Sequence, residues 1–162
     1  GISYLPQSTS VFKRMSVEEN LLAIMEIAGT PKASQRELAQ SLMQKFQISH
    51  IASSKGSELS GGERRRVEIA RSLIINPKFL LLDEPFAGVD PVTVQEIVDI
   101  IKGLSREGLG VLITDHNVRE TLDSCQRSYV LSGGKIIAHG TPDVIADDPL
   151  VREIYLGENF KL

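Results

Sequence analysis

Residues 79–84 read Phe-Leu-Leu-Leu-Asp-Glu, an unbroken apolar run that ends in two adjacent acids. Because polar residues do not alternate with apolar ones, the run predicts a strand over Lys78 to Leu82 that belongs to a parallel sheet and is covered on both faces. Ligands of open α/β sheets bind at the carboxyl ends of the strands. The sequence therefore predicts that Asp83 and Glu84 lie at a ligand-binding edge.

Two neighbouring carboxylates after an apolar strand are costly unless a cation or several hydrogen-bond donors keep them ionised. A metal ion is one such cation. Adjacent residues at a strand end point in different directions, so one carboxylate can hold Mg²⁺ while the other faces a water, as phosphoryl transfer requires. The alternative is that Asp83 and Glu84 only cap the following turn, and the pair alone does not decide between the two.

Helices and strands alternate on both sides of this run, which predicts a layered α/β fold. The predicted elements are a strand ending at Pro6, helices opened by Ser16 and by Thr30-Pro31, a helix with Val67, Ala70, Leu73 and Ile74 on one face, a helix from Asp90-Pro91 to Gly108, a strand over Val111 to Thr114, a helix from Asn117, a hairpin around Ser132 to Lys135, and short helices after Thr141-Pro142.

A second candidate site is the segment Leu59-Ser60-Gly61-Gly62-Glu63, which directly precedes a predicted helix. Two glycines allow a close backbone approach, and the free N–H groups and dipole of a helix N-terminus favour an anion such as phosphate. The alternative is an ordinary Ser N-cap with glycine in the entry turn, and for an isolated Ser-Gly-Gly that is the better supported interpretation.

Composition excludes several other classes of protein. The 162 residues carry 18 basic and 21 acidic side chains, so the net charge of −3 gives no global attraction for nucleic acid, and the run Arg64 to Arg66 is interpreted as a solvated helical face. The longest apolar run, Leu21 to Met25, is too short to span a membrane. One cysteine and three separated histidines offer neither a disulfide nor a zinc site, which predicts a cytoplasmic protein.

Five motifs in order resemble those of the ATP-binding subunits of ABC transporters, and the resemblance extends over the whole chain. They are the Q-loop glutamine Gln7, the signature Leu59 to Glu63, the Walker B strand Phe79 to Glu84, the D-loop Ala87 to Asp90 and the switch histidine His116.

The resemblance implies a P-loop NTPase fold of the ABC ATPase type, with a mostly parallel sheet and a helical subdomain. That subdomain is expected over about residues 8–75 with the signature helix, and residues 1–7 and 76–162 are expected in the core. The Walker A pattern G-x-x-x-x-G-K-[ST] does not occur. We therefore expect a partial domain, truncated at its N-terminus, that alone binds ATP weakly and hydrolyses none.

The resemblance also implies roles for single residues, with ATP and Mg²⁺ as the ligands. Asp83 would bind Mg²⁺, directly or through water, and Glu84 would polarise the attacking water. Gln7 would touch both the Mg²⁺ and that water, and His116 would hydrogen-bond the γ-phosphate.

A homodimer closed by ATP is implied as well, because in this family the signature of one subunit covers the nucleotide bound to the other. Ser60, Gly61, Gly62 and Glu63 would make that contact, and Asp90, also a sound N-cap, would bridge the subunits. Phe12, Lys13 and Arg14 would receive a short helix of an integral membrane permease subunit, on the inner face of the inner membrane; the alternative is an ordinary loop with Phe12 in the local core.

Within the family, the resemblance is greatest to the ATPases that power lipopolysaccharide export. It rests on the stretches Ser60 to Arg71, Leu82 to Pro91, Thr114 to Leu122 and Tyr155 to Leu162. ATPases of branched-chain amino acid importers are similar in the strand and the tail. Two further interpretations are an ABC-type ATPase acting on DNA or ribosomes, whose long heptad insertions or second cassette are not visible here, and a non-catalytic fragment.

Overall fold

The computed structural model describes residues 1–156, and the chain divides into two compact units, one from Gly1 to Thr114 and one that begins at Asp115. The elements of the first unit are β1 (Ile2–Leu5), α1 (Val17–Ile27), α2 (Lys32–Lys45), a short 3₁₀ helix (Ser49–Ile51), α3 (Gly61–Leu73), β2 (Phe79–Asp83), α4 (Pro91–Arg106) and β3 (Gly110–Thr114). The described part of the second contains α5 (Val118–Ser124), β4 (Ser128–Ser132), β5 (Lys135–Gly140), α6 (Pro142–Asp147) and helical turns over Pro149–Val151 and Arg152–Leu156.

A three-stranded parallel sheet organises the first unit, in the order β1-β2-β3. Leu5 is in register with Leu82, and Asp83 is in register with Thr114. The carboxyl ends of the three strands therefore meet at one edge, as the α/β prediction requires.

The prediction that β2 is covered on both faces is wrong for the first unit. Leu80 and Leu82 are buried in the core, whereas Phe79 on the opposite face is 56% exposed. Leu112 on the neighbouring strand β3 is 60% exposed as well. Within the described residues of this unit the helices cover one face of the sheet, and an unbroken apolar run does not distinguish one covered face from two.

Local signals located the helix starts well. Ser16 caps α1 in a capping box with Glu19, and Asp90 caps α4, as predicted. The expected start of α2 is wrong by one residue. Pro31 has an extended ψ of 132° and is itself the N-cap, so the helix begins at Lys32 without a side-chain cap.

The hairpin of the second unit is confirmed. Strands β4 and β5 pair antiparallel, and the turn between them is Gly133-Gly134, with φ of 54° and 76°. Two consecutive positive φ angles suit a type I′ turn, for which glycine is the least strained residue.

The elements described above do not test the predicted subdomain division or the resemblance carried by the tail. The division into a helical subdomain over 8–75 and a core from 1–7 and 76–162 stays a prediction. The tail from Tyr155 to Leu162 lies mostly outside the described residues, since 157–162 are not among them.

No helix within residues 1–156 is long and apolar enough to cross a membrane.

Asn20 on α1 is a buried polar side chain that orders the loop before the helix. Its Oδ1 accepts a hydrogen bond from the Phe12 main-chain N–H at 2.8 Å. Its Nδ2 donates to the carbonyl oxygens of Phe12, Met15 and Ser16 at 3.1, 3.3 and 2.9 Å. The Phe12 N–H therefore finds its partner in this amide, and the three carbonyl oxygens, which also accept main-chain N–H groups, gain a second hydrogen bond.

We predict that Asn20→Ala lowers the free energy of unfolding by about 1–3 kcal/mol, because the Phe12 N–H loses its hydrogen-bond partner and three carbonyl oxygens each lose one of two. Urea unfolding monitored by circular dichroism measures the change. The control is Ser34→Ala, which removes an exposed hydroxyl bonded to the Pro31 carbonyl and should change stability by less than about 0.5 kcal/mol. Equal stability of the two variants would contradict the assignment.

Candidate active site at the carboxyl ends of the strands

Asp83, the last residue of β2, lies between hydroxyl groups of both neighbouring strands. The Thr114 hydroxyl donates to Oδ1 at 2.6 Å, and the Tyr4 hydroxyl donates to Oδ2 at 3.0 Å. These hydrogen bonds, that of Thr114 first, lower the pKa of Asp83. The carboxylate therefore remains ionised at neutral pH and is suited to bind a cation.

A single carboxylate fits Mg²⁺, which proteins usually hold through one or two carboxylates together with water and substrate phosphates. Residues 1–156 contain no cluster of three or more His, Cys, Asp or Glu side chains arranged to hold a metal ion. The structure is therefore compatible with the prediction in which Asp83 supplies the charge at the Mg²⁺ site, Gln7 contacts the ion, and water and phosphate oxygens take the remaining positions.

Glu84 follows directly but has a different backbone conformation and a different partner. Its φ is +44°, in the left-handed region, and its N–H donates to the Thr114 carbonyl at 2.7 Å. Its Oε2 accepts a hydrogen bond from Gln7 Nε2 at 2.7 Å. Two predicted site residues that are 77 positions apart in sequence therefore meet, and the two acids have separate environments.

The signature segment forms the N-terminus of α3. Ser60 is the N-cap: its Oγ accepts from the Glu63 N–H at 3.3 Å, and its own N–H donates to Glu63 Oε2 at 2.8 Å. Hydrogen bonding to the hydroxyl and then the N–H of Ser60 lowers the pKa of Glu63. The capping alternative is thus confirmed, and it is compatible with an anion site because the helix N-terminus stays at the surface.

The two signature glycines are required by close packing within the chain itself. A Cβ on Gly61 would lie 2.8 Å from the Gly88 carbonyl oxygen of the D-loop. A Cβ on Gly62 would lie 2.0 Å from Thr93 Cγ2 on α4. The signature and the segment around Asp90, which accepts from the Thr93 N–H at 3.0 Å, therefore form one packed surface.

His116 belongs to the second unit, where its side chain is 68% exposed. Its Nδ1 lies 3.6 Å from Oδ1 of Asp115, whose own side chain is fully buried. The same Asp115 oxygen accepts from the Asn117 N–H at 2.8 Å, which fixes the carboxylate beside the ring. The histidine is therefore accessible, and a neighbouring acid limits its orientation.

Phe12, Lys13 and Arg14 are all exposed, so the structure leaves this predicted partner-binding segment open to solvent. The Phe12 ring, 39% exposed, stacks on the guanidinium of Arg71, with 4.5 Å from Cζ to the ring centroid. The Phe12 ring is thus held by Arg71 on one side and accessible to solvent on the other. It is neither buried in a local core nor a fully free surface side chain.

The interpretation of Arg64 to Arg66 as a solvated face is wrong, because Arg65 is only 5% exposed. Its Nε and one terminal nitrogen donate to the carbonyl oxygens of Pro85 and Glu84 at 3.0 and 2.8 Å. Sequence reasoning missed this residue; the available signal was the acid Glu68 one helical turn later, a pair with spacing for a buried ion pair.

Comparison with known proteins assigns the family. The ABC transporter family profile matches residues 1–87, more than half of the chain. The chain belongs to the ABC transporter family. A second profile, the branched-chain amino acid ATP-binding cassette transporter, matches residues 135–161.

Individual ABC proteins are similar over almost the whole chain. The lipopolysaccharide export system ATP-binding protein LptB of Haemophilus influenzae is 60% identical over all of this chain and 68% of its own length. LptB of Escherichia coli K12 is 59% identical with the same coverage. The solved structure of MJ1267, an ATP-binding cassette of an ABC transporter, in its ADP conformation superposes with a TM-score of 0.80 at 34% identity, covering 98% of this chain and 69% of that one.

The ABC ATPase fold expected from the motifs is thereby confirmed. ATP is the nucleotide bound by ABC ATP-binding subunits, and its hydrolysis to ADP and phosphate is the activity of the family to which this chain belongs.

We predict that Glu63→Gln lowers the free energy of unfolding at pH 7 by about 0.5 kcal/mol, because glutamine can keep the capping hydrogen bond but not the charge at the helix N-terminus. The folded-state pKa of Glu63 is lowered from 4.5, so its contribution is present above pH 4.5 and is lost as the pH falls through the folded-state pKa.

We therefore expect urea unfolding of the wild type and of Glu63→Gln, from pH 7 to acid, to show that their difference in unfolding free energy disappears below pH 4.5. A difference in unfolding free energy that stays constant over this pH range would mean that the charge of Glu63 does not stabilise α3.

Proposed function

We propose that the chain supplies the Walker B, Q-loop, signature and switch residues of the ATPase subunit of a lipopolysaccharide export transporter. The observation that carries the proposal is the 2.7 Å contact between Gln7 and Glu84 beside an Asp83 whose carboxylate is held separately. The two acids thus have different partners, which supports a role for Asp83 in binding Mg²⁺ and a separate role for Glu84 in activating the attacking water.

In this proposal Asp83 would hold Mg²⁺, directly or through water, and Gln7 would contact the ion, which would supply positive charge to offset that of the ATP phosphates. Glu84 polarises the attacking water and accepts its proton, and Gln7, which is hydrogen-bonded to Glu84, contacts the same water. His116 hydrogen-bonds the γ-phosphate. Each of these roles is assigned because the residue matches a motif of the family and because its side chain is chemically suited to ATP hydrolysis.

The signature residues Ser60 to Glu63 bind the nucleotide held by a second copy of the chain, so ATP joins the two copies and hydrolysis releases them. Asp90 bridges the copies from the D-loop. Two observations support this: the N-terminus of α3 has an exposed Ser60, and Gly61 packs directly against Gly88 of the D-loop.

Lipopolysaccharide export is favoured over branched-chain amino acid import by the extent of similarity. The LptB relatives are 59–60% identical over the whole chain, whereas the branched-chain profile matches residues 135–161 alone. The transporter's permease subunits would then hold the ATPase at the inner face of the inner membrane through Phe12, Lys13 and Arg14.

We predict that Glu84→Gln lowers kcat by at least about 100-fold, because the amide keeps the shape of the side chain but cannot take the proton of the water. Turnover is measured in the complete ATPase, meaning these residues preceded by a family phosphate-binding loop. The variant should bind ATP normally and accumulate as an ATP-bound dimer in light scattering.

The matched control is Glu37→Gln, the same change on an exposed residue of α2, which should leave kcat unaltered. Near-normal turnover by Glu84→Gln would place the catalytic base elsewhere.

We predict that Phe12→Ala in the complete ATPase abolishes co-purification with the lipopolysaccharide-export permease pair while soluble ATPase activity stays nearly intact. Truncating an aromatic anchor at an interface commonly costs at least about 2 kcal/mol of binding free energy. Within the chain the substitution removes a half-exposed cation–π pair with Arg71, which is worth about 1 kcal/mol at most, so the Tm should fall little.

Ile27→Ala, which truncates an exposed apolar side chain at the end of α1, is the control and should co-purify normally. Co-purification of Phe12→Ala at wild-type yield would refute the docking assignment, and so would a loss of stability as large as the loss of assembly.

A further inference from the structure

One face of α3 carries charged side chains into the interior. Arg65, Glu68 and Arg71 recur at intervals of three residues, and all three are buried. A buried charge is costly unless it is paired and hydrogen-bonded. These charges therefore require a structural or functional explanation beyond the packing of the helix.

Glu68, 4% exposed, joins two parts of the active site. Its Oε1 accepts a hydrogen bond from the Ser10 N–H at 2.7 Å. Its Oε2 pairs with Arg65 at 3.3 Å. One carboxylate thus connects the loop that follows Gln7 to the arginine that contacts the Glu84 main chain.

Both ends of this connection are fixed by further contacts. Arg65 donates to the Glu84 and Pro85 carbonyl oxygens and also to that of Pro6, at 3.3 Å. Arg71 donates to the Ser10 carbonyl at 2.6 Å. The main chain is therefore held at Pro6 and at Ser10, on both sides of Gln7.

The side chain of Gln7 itself is exposed, so its position relative to Glu84 depends on how its loop is held. Small displacements of a reacting group can cost up to about 100-fold in rate. The buried polar cluster holds the main chain on both sides of Gln7 and at Glu84.

We propose that Glu68 is a positioning residue for ATP hydrolysis, which fastens the loop carrying Gln7 to α3 and, through Arg65, to the main chain of Glu84. This inference rests on the proposed roles of Gln7 and Glu84. Glu68 touches neither nucleotide nor water, so its loss should lower kcat while the affinity for ATP is retained.

Two substitutions separate the contacts of Glu68. Glu68→Gln keeps an acceptor for the Ser10 N–H but removes the charge opposite Arg65, and Glu68→Met removes both. In the complete ATPase we expect kcat to fall by several-fold in the first and by about 10- to 100-fold in the second. The Kd for ATP should stay within about threefold in both. The control is Glu96→Gln on α4, which breaks the partly exposed ion pair with Arg66 of α3 and should leave kcat unaltered.

A double-mutant cycle with Gln7→Ala distinguishes positioning from general destabilisation. If Glu68 acts through Gln7, then Glu68→Met lowers kcat far less in the Gln7→Ala protein than in the wild type. Should Glu68→Met fail to fold, the same cycle with Glu68→Gln decides the question.

The inference is overturned if kcat is unchanged in Glu68→Gln and Glu68→Met, if the two changes are additive with Gln7→Ala, or if Kd rises in proportion to the loss of kcat. Normal turnover by Gln7→Ala alone would instead count against the proposed role of Gln7, so the two failures are distinguishable.

Discussion

The active-site geometry depends on the turn that follows β2, where Glu84 has a positive φ of 44°. A left-handed conformation costs a residue with a side chain about 1–2 kcal/mol, and it persists where surrounding contacts fix it. Here the Thr114 carbonyl accepts from the Glu84 N–H, and the buried guanidinium of Arg65 donates to the carbonyl oxygens of Glu84 and Pro85. The turn directs two adjacent acids to different partners.

Helix α3 connects the parts of the site that lie within the first unit. Its N-terminus presents Ser60 at the surface and packs through Gly61 against Gly88. One and two turns later, Arg65 and Glu68 reach the strand ends and the loop after β1. One helix therefore carries both the contacts of the signature and the contacts to the carboxyl edge of the sheet.

Much of the site could be predicted from the sequence because its signals are local. The capping boxes at Ser16 and Ser60 and the cap at Asp90 depend on residues three positions apart, and each is present. The burial of Arg65 is harder to predict, because Glu68 one helical turn later is the one local signal and the other partners of Arg65 named above are carbonyl oxygens of distant segments. The prediction that β2 is covered on both faces failed for a different reason. An unbroken apolar strand does not reveal whether helices cover one of its faces or both.

The most direct test of the account is a crystal structure of the complete ATPase with ATP and Mn²⁺, in which anomalous scattering locates the metal. The account predicts a metal held by Asp83, directly or through one water, with the Glu84 carboxylate on a separate water beside the γ-phosphate. A metal coordinated by Glu84, or an Asp83 carboxylate turned away from the metal, would contradict the division of roles between the two acids.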